Sequence, residues 1–285
     1  MDQQRNLRQA LQPPDHTERL AQRELAADSP RPSLYDVTVE ELRRTGPLDL
    51  AYVREVTRYP QPRAFVGVDL GMRRDHSAVA VLELSWIPRG RCGVTYAWLF
   101  QPRLSIRALE RLPLGTCYRD VHGIVRQYVD ELRLRRDRNG NPVDYRQELI
   151  VDAGGPGPPV IAELRAAMPT GVQVTPVLLT AGKGENSLSG GYLSVPRRTI
   201  ITGLIRMIHV RTLRCPPGVD HFPVFMEELL ELDGQTSHPA SARGHDDLVI
   251  AVGLGAWAAL RAVPELVPGA SKRQQNFGYM PFPIF

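Results

Sequence analysis

Ala64-Phe65-Val66-Gly67-Val68 is the first strongly apolar run of the chain, and it ends at Asp69-Leu70-Gly71, the pattern of a buried strand followed by a turn. Ser77 to Leu84, rich in Val and Ala, predicts a second strand, and Val94 to Phe100 a third. Three successive strands separated by turn residues imply an antiparallel meander. Arg119 to Leu134 changes period: Val121, Ile124, Val125, Tyr128, Val129 and Leu132 recur at helical spacing with Arg and Asp between them. This predicts an amphipathic helix covering the sheet.

After a turn cluster at residues 137–142, Glu148 to Val151 forms a short apolar strand that ends at Asp152. Pro159 to Met168 predicts a helix and Val172 to Leu179 a strand. Residues 180–192 are Gly-rich and predict a loop or hairpin. Further helices are expected at Arg197 to Met207 and Phe222 to Leu232, and a last one from about Asp246 to Arg261. Leu248 to Leu260 is apolar almost all round, so that helix should be buried.

The order β-β-β-α-β-α-β followed by helices implies a mixed α/β sheet with helices on its faces. No internal repeat interrupts it. Residues 1–62 are polar and sparsely apolar, with short helical candidates near Asn6 to Leu11 and Val39 to Arg44; they read as an appendage or linker. The domain is expected over 63–263, with a tail at 264–285.

Composition narrows the class. At 285 residues, 42% hydrophobic and 23% charged, the chain has the make-up of an ordinary folded enzyme. It lacks an apolar run long enough for a membrane span and an apolar N-terminal signal, so a cytoplasmic protein is expected. Cys92, Cys117 and Cys215 have no spacing that suggests zinc or a redox pair. The net charge of +4 suits a polyanionic partner, and all but Lys183 and Lys272 of the 35 basic residues are Arg, whose planar fork suits phosphate. A GC-rich coding sequence explains the same bias.

The candidate chemistry lies in three acids. Asp69 and Asp152 stand at the C-terminal ends of predicted strands, and Asp247 stands in the first turn of the last helix. Strand ends in an open sheet converge on one crevice, so residues this far apart in sequence can meet. A single Asp at a strand end often only starts a turn or caps the next element. Three beside strongly apolar segments point further, because clustered carboxylates repel one another unless a cation neutralises them. Two Mg²⁺ or Mn²⁺ ions held there could activate water and stabilise the leaving 3′ oxygen of a phosphodiester. Asp69 would bridge the ions, with Asp152 and Asp247 each holding one. Asp75 is either a further ligand or a turn residue, and Asp246 either a ligand or an N-cap beside Asp247. His245 could contact substrate or water.

With these residues in view, the sequence resembles the nuclease domain of phage terminase large subunits. Phe65-Val66-Gly67-Val68-Asp69-Leu70-Gly71 followed by Asp75-His76-Ser77-Ala78-Val79 is similar to that family's first acidic strand and the strand after it. Ile150-Val151-Asp152-Ala153-Gly154-Gly155-Pro156-Gly157 resembles the second acidic motif, and Gly244-His245-Asp246-Asp247-Leu248-Val249-Ile250-Ala251 the third. Residues 190–198 look like the segment leading into the helix before that motif. The resemblance covers about residues 64–262 and implies a ribonuclease-H-like fold, an antiparallel meander continued by parallel strands. It also implies metal-dependent cleavage of double-stranded DNA.

Such a nuclease must hold duplex DNA, and Arg73, Arg74, Lys183, Arg197, Arg198 and Arg243 are the candidate phosphate contacts. No helix-turn-helix or zinc-finger pattern is present, so little sequence preference is expected. No Gly-x-x-x-x-Gly-Lys-Ser/Thr phosphate loop occurs, and Gly182-Lys183-Gly184 is too short to replace one. Translocation would then need a separate terminase ATPase, with a small subunit and a portal as further partners. Rival readings are a junction resolvase, an actin-like nucleotide-binding protein whose Asp-Leu-Gly opens a phosphate loop, and a non-catalytic assembly protein.

Overall fold

The computed structural model describes residues 62–71, 75–91, 98–135, 145–216, 218–234, 246–263 and 266–267. The two short helical candidates before residue 62, the turn cluster at 137–142 and the tail from 268 lie outside the described residues, as do Arg73, Arg74, Arg243, His245 and Cys92.

Eight strands among these residues form one sheet: β1 Arg63–Asp69, β2 Ala78–Arg91, β3 Trp98–Arg111, β4 Arg146–Asp152, β5 Gln173–Thr180, β6 Asn186–Ser187, β7 Leu193–Pro196 and β8 Leu213–Arg214. Their order across the sheet is β6-β7-β5-β4-β1-β2-β3-β8. The expected meander is present, since β1, β2 and β3 pair antiparallel. The remainder continues parallel, β1 to β4, β4 to β5 and β5 to β7. This is the mixed sheet that the element order implies.

Five helices flank it: α1 Tyr118–Leu134, α2 Gly157–Ala167, α3 Arg197–His209, α4 Phe222–Gly234 and α5 Asp247–Ala262. Alternation along each strand sends side chains to two separate cores. Val66, Val68, Val79, Val81, Leu149 and Val151 pack with α1 and α2 on one side. Phe65, Ala80, Leu82, Ile150 and Val177 pack with α3, α4 and α5 on the other. The second core centres on α5, in which every residue from Asp247 to Ala259 is buried, as its all-round apolar sequence predicts. Each fully buried Leu or Val contributes about 1.5–3 kcal/mol of apolar transfer energy, so this helix anchors the fold.

Two elements depart from the sequence reading. The hairpin β2–β3 is far longer than Ser77 to Leu84 and Val94 to Phe100 suggest, each strand having 14 residues. Alternation fails in Leu104-Ser105-Ile106-Arg107-Ala108-Leu109 because Leu82 pairs with Ile106 while Val81 pairs with Ala108, leaving Arg107 as an extra residue in a β-bulge. Arg107 is held there by Glu83, its Nε donating to Oε2 at 2.8 Å. The second departure is β8, a two-residue strand parallel to β3 with too little pattern to read. Residues 180–192 do form a hairpin, with β6 antiparallel to β7.

Candidate active site

Strand β1 carries Phe65, Gly67 and Asp69 on the face toward α5. Gly67 is the closest approach: a β-carbon there would stand 1.9 Å from the carbonyl oxygen of Ala251 and 3.0 Å from the backbone nitrogen of Gly255. Only glycine lets the α5 backbone lie on β1 this closely. Ala251 is one helical turn from Asp247, and Gly67 is two residues, one pleat repeat, from Asp69. The packing that buries α5 therefore brings its first residue to the end of β1.

Strand β4 lies parallel to β1 with Gly67 opposite Ile150 and Val68 opposite Val151. The next pair in that register is Asp69 and Asp152, on strands about 4.8 Å apart. Ile150 belongs to the α5-side core, so Asp152, two residues on, points to the same face as Asp69. Asp152 also starts a turn, Oδ1 accepting the N–H of Gly154 at 2.9 Å. After β1, Gly71 packs on the backbone of Asp75 and His76; a β-carbon at Gly71 would meet their carbonyl oxygens at 2.4 and 2.3 Å. Gly71 N–H donates to Ser77 Oγ at 3.1 Å. These contacts hold Asp75, which is exposed, near the strand end.

Electrostatics register the convergence. Asp69 keeps some solvent contact but is packed round by protein, and its carboxyl is raised well above the usual range. Burial is the main cause; Asp152, Asp247 and Asp75 push it further, and Arg197 opposes them. Asp152 is raised by burial, with Gly154 N–H and Arg197 opposing. A proton is favoured where several carboxylates face one another in a site of low polarity.

Asp247 is 6% exposed and lies against Arg111, whose Nη2 donates to Oδ2 at 3.3 Å. Arg111 ends β3, and the Arg107 bulge turns it and Leu109 to the α5 face. Its other terminal nitrogen stands 3.8 Å from Oε1 of Glu228 on α4. Glu228 Oε2 in turn accepts the N–H groups of Leu248 at 2.9 Å and Val249 at 3.2 Å, capping the first turn of α5. Asp246 occupies the N-cap position without making a side-chain cap hydrogen bond, and it is ion-paired with Arg197. The N-cap expected of Asp246 is thus supplied from another helix.

Among the described residues, no three His, Cys, Asp or Glu side chains stand together at metal-ligand spacing. Asp247 accepts from Arg111 and Asp152 from Gly154, so a cation between them would share these oxygens with their partners or replace the partners. The donor set is nonetheless all carboxylate oxygen, the chemistry that hard divalent cations take, and the raised Asp69 is the group that a cation would relieve.

The candidate phosphate contacts divide. Lys183 and Arg198 are exposed, the first in the loop after β5 and the second in the first turn of α3, both at the strand-end edge that carries the acids. Arg197 is engaged by Asp246 and acts on Asp69 and Asp152 as an internal cation.

No protein-family model and no curated protein matches the chain. The chain resembles solved terminase nucleases. The large terminase nuclease from thermophilic phage G20c is 18% identical, with 69% of this chain and 82% of that chain covered and a TM-score of 0.39. The human cytomegalovirus terminase nuclease domain, in a Mn-soaked structure, is 16% identical over 70% of this chain and 85% of that one, with a TM-score of 0.42. The nuclease domain of the bacteriophage SPP1 large terminase, with bound Mn, is 15% identical over 64% and 74%, with a TM-score of 0.32. Likeness of this degree fixes no residue's role.

Arg111 and Glu228 escape sequence reasoning. Glu228 does leave a trace: it falls between Phe225 and Leu232 on the apolar stripe of α4, where a charge needs a partner. Arg111 leaves only an indirect one, the failed alternation around Arg107, which marks an irregular strand without saying which later residues it turns inward.

Proposed function

We propose that this chain is a divalent-metal-dependent endonuclease that hydrolyses phosphodiester bonds of double-stranded DNA, acting as the nuclease component of a DNA-packaging terminase. The observation that carries the reading is Asp69, a strand-end carboxyl raised by burial and by Asp152 and Asp247, acids contributed by a neighbouring strand and by the helix packed on β1.

Asp69, Asp152 and Asp247 would hold two Mg²⁺ or Mn²⁺ ions, with Asp75 as a further ligand; such ions activate water and neutralise the leaving 3′ oxygen. Asp246 is better read as the partner of Arg197 than as a ligand. Lys183 and Arg198 would contact phosphates on either side of the acids, and Arg73, Arg74 and Arg243 are proposed for the same role from sequence alone. Among the described residues no helix is long and apolar enough to cross a membrane. An ATPase motor, on this polypeptide or another, a small terminase subunit and a portal are what this function calls for.

The test is plasmid DNA incubated with Mg²⁺ or Mn²⁺ and the wild type or Asp69→Asn, Asp152→Asn or Asp247→Asn. Each variant should cut roughly 10²–10³-fold more slowly, the loss typical of removing one preorganised charge-stabilising group. Equal cutting by all four chains sinks the reading, and a strong preference for branched over linear duplexes would replace it with a junction resolvase.

A further inference from the structure

The Arg111 guanidinium lies between two buried acids, Asp247 at 3.3 Å and Glu228 at 3.8 Å, which are 6% and 4% exposed. Arg111 Nε and Glu228 Oε1 are buried without a hydrogen-bond partner among the described residues. The hydrogen bond that ties Arg111 to Asp247 is long, at 3.3 Å, and its contact with Glu228 at 3.8 Å is one of charge, so a shift away from Asp247 breaks that one long bond. Glu228 is fixed much more firmly. Its second oxygen takes the two α5 N–H groups, so it cannot follow Arg111 without uncapping the helix.

From this asymmetry we infer that Arg111 is a built-in counterion competing with divalent metal for Asp247, with Glu228 as the fixed acid that retains the guanidinium when the metal takes Asp247. The inference rests on the nuclease reading above and deepens it. Without a metal, Arg111 neutralises an acid that the core has buried beside Asp69. As a cation binds, Asp247 turns from the guanidinium to the metal, and Arg111 stays paired with Glu228 rather than being left as a lone buried charge. Arg111 and Glu228 are positioning residues on this account; neither touches substrate.

Competition and simple scaffolding give opposite signs. Removing a competing cation from Asp247 tightens metal binding, whereas removing a scaffold loosens it. Mn²⁺ affinity is measured calorimetrically, without DNA, for the wild type, Asp69→Asn, Arg111→Gln, Glu228→Gln and the double variant Arg111→Gln/Glu228→Gln. The double variant leaves one fewer buried acid without its counterion than Arg111→Gln does, and the amide oxygen introduced by Glu228→Gln can still accept the α5 N–H groups, so it guards against misfolding of the single change. Unit charges this close interact appreciably even at an effective permittivity of about 20, so Arg111→Gln should bind Mn²⁺ about tenfold more tightly than wild type. The double variant should exceed Glu228→Gln by a similar factor, which is decisive if the single variant does not fold. Glu228→Gln alone should bind more weakly than wild type, since Arg111 then pairs with Asp247 only.

Wild-type binding lost in Asp69→Asn, without tightening on removal of Arg111 in either background, overturns this inference and leaves the nuclease reading standing. No Mn²⁺ binding by any of the chains overturns both.

Discussion

Gly67 and Ala251 meet backbone to backbone: a β-carbon on Gly67 would stand 1.9 Å from the Ala251 carbonyl oxygen. Because Asp69 and Asp247 hang from the two sides of this contact, the spacing between β1 and α5 sets the spacing of the acids. Gly67→Ala must push α5 outward, since no side chain is there to yield. Overpacking of this kind costs about 3 kcal/mol, measurable as a shift in the denaturant midpoint. Cutting should fall even where the variant is fully folded.

Glu228 gives the apo protein an unusual pH response. Its carboxyl is raised from 4.5 to about 7, chiefly by burial, with Asp247 adding to the rise and the α5 N–H groups and Arg111 opposing it. The folded state therefore binds the proton more tightly than the unfolded chain. This stabilisation is fully present below pH 4.5 and is lost as pH rises through about 7. The whole interval corresponds to a few kcal/mol, on the order of 3. Asp69 and Asp152 have the same sign. Denaturation in EDTA should show stability falling between pH 5 and 8, with a flatter slope in Glu228→Gln. An equal slope in that variant would contradict the assignment.

The adjacent acids at the start of α5 should behave differently. Asp246 pairs with Arg197, whose side chain is 43% exposed, and makes no cap bond, so Asp246→Asn should cost less than about 1 kcal/mol. Mn²⁺ binding should survive it and be lost in Asp247→Asn. Thermal shift on adding Mn²⁺ separates the two.

The hairpin after β5 is pinned to α5 by one side chain. Glu185 accepts from Trp257 Nε1 at 2.9 Å and lies 3.7 Å from Arg261, which stacks over the Trp257 ring. Glu185→Ala should cost about 1 kcal/mol and speed tryptic cleavage after the exposed Lys183, with a change in tryptophan fluorescence. Unchanged cleavage would mean that other contacts hold the loop.

How far the sequence reveals this molecule depends on the range of each interaction. Local period is enough to place β1, α1, β4 and α5, and the acids at Asp69 and Asp152 are legible because strand ends are. Asp247 is legible because an acid beside a wholly apolar helix stands out. Their surroundings are not local. Glu228 caps a helix about twenty positions later, and Arg111 reaches Asp247 only because one extra residue at Arg107 reverses the parity of β3. Resolving Asp246 from Asp247 likewise needs Arg197, which the sequence alone assigns to phosphate.

Burial of α5 from its first residue has a kinetic meaning. Helix ends ordinarily fray, and a residue in a first turn is among the earliest to exchange its amide hydrogen. Here Asp247 begins the helix yet sits in the core, with the next two N–H groups tied to Glu228. Those amides should exchange only through global opening, while the hairpin around Lys183 exchanges through small local ones. The acid farthest along the chain would then be lost only when the whole domain comes apart.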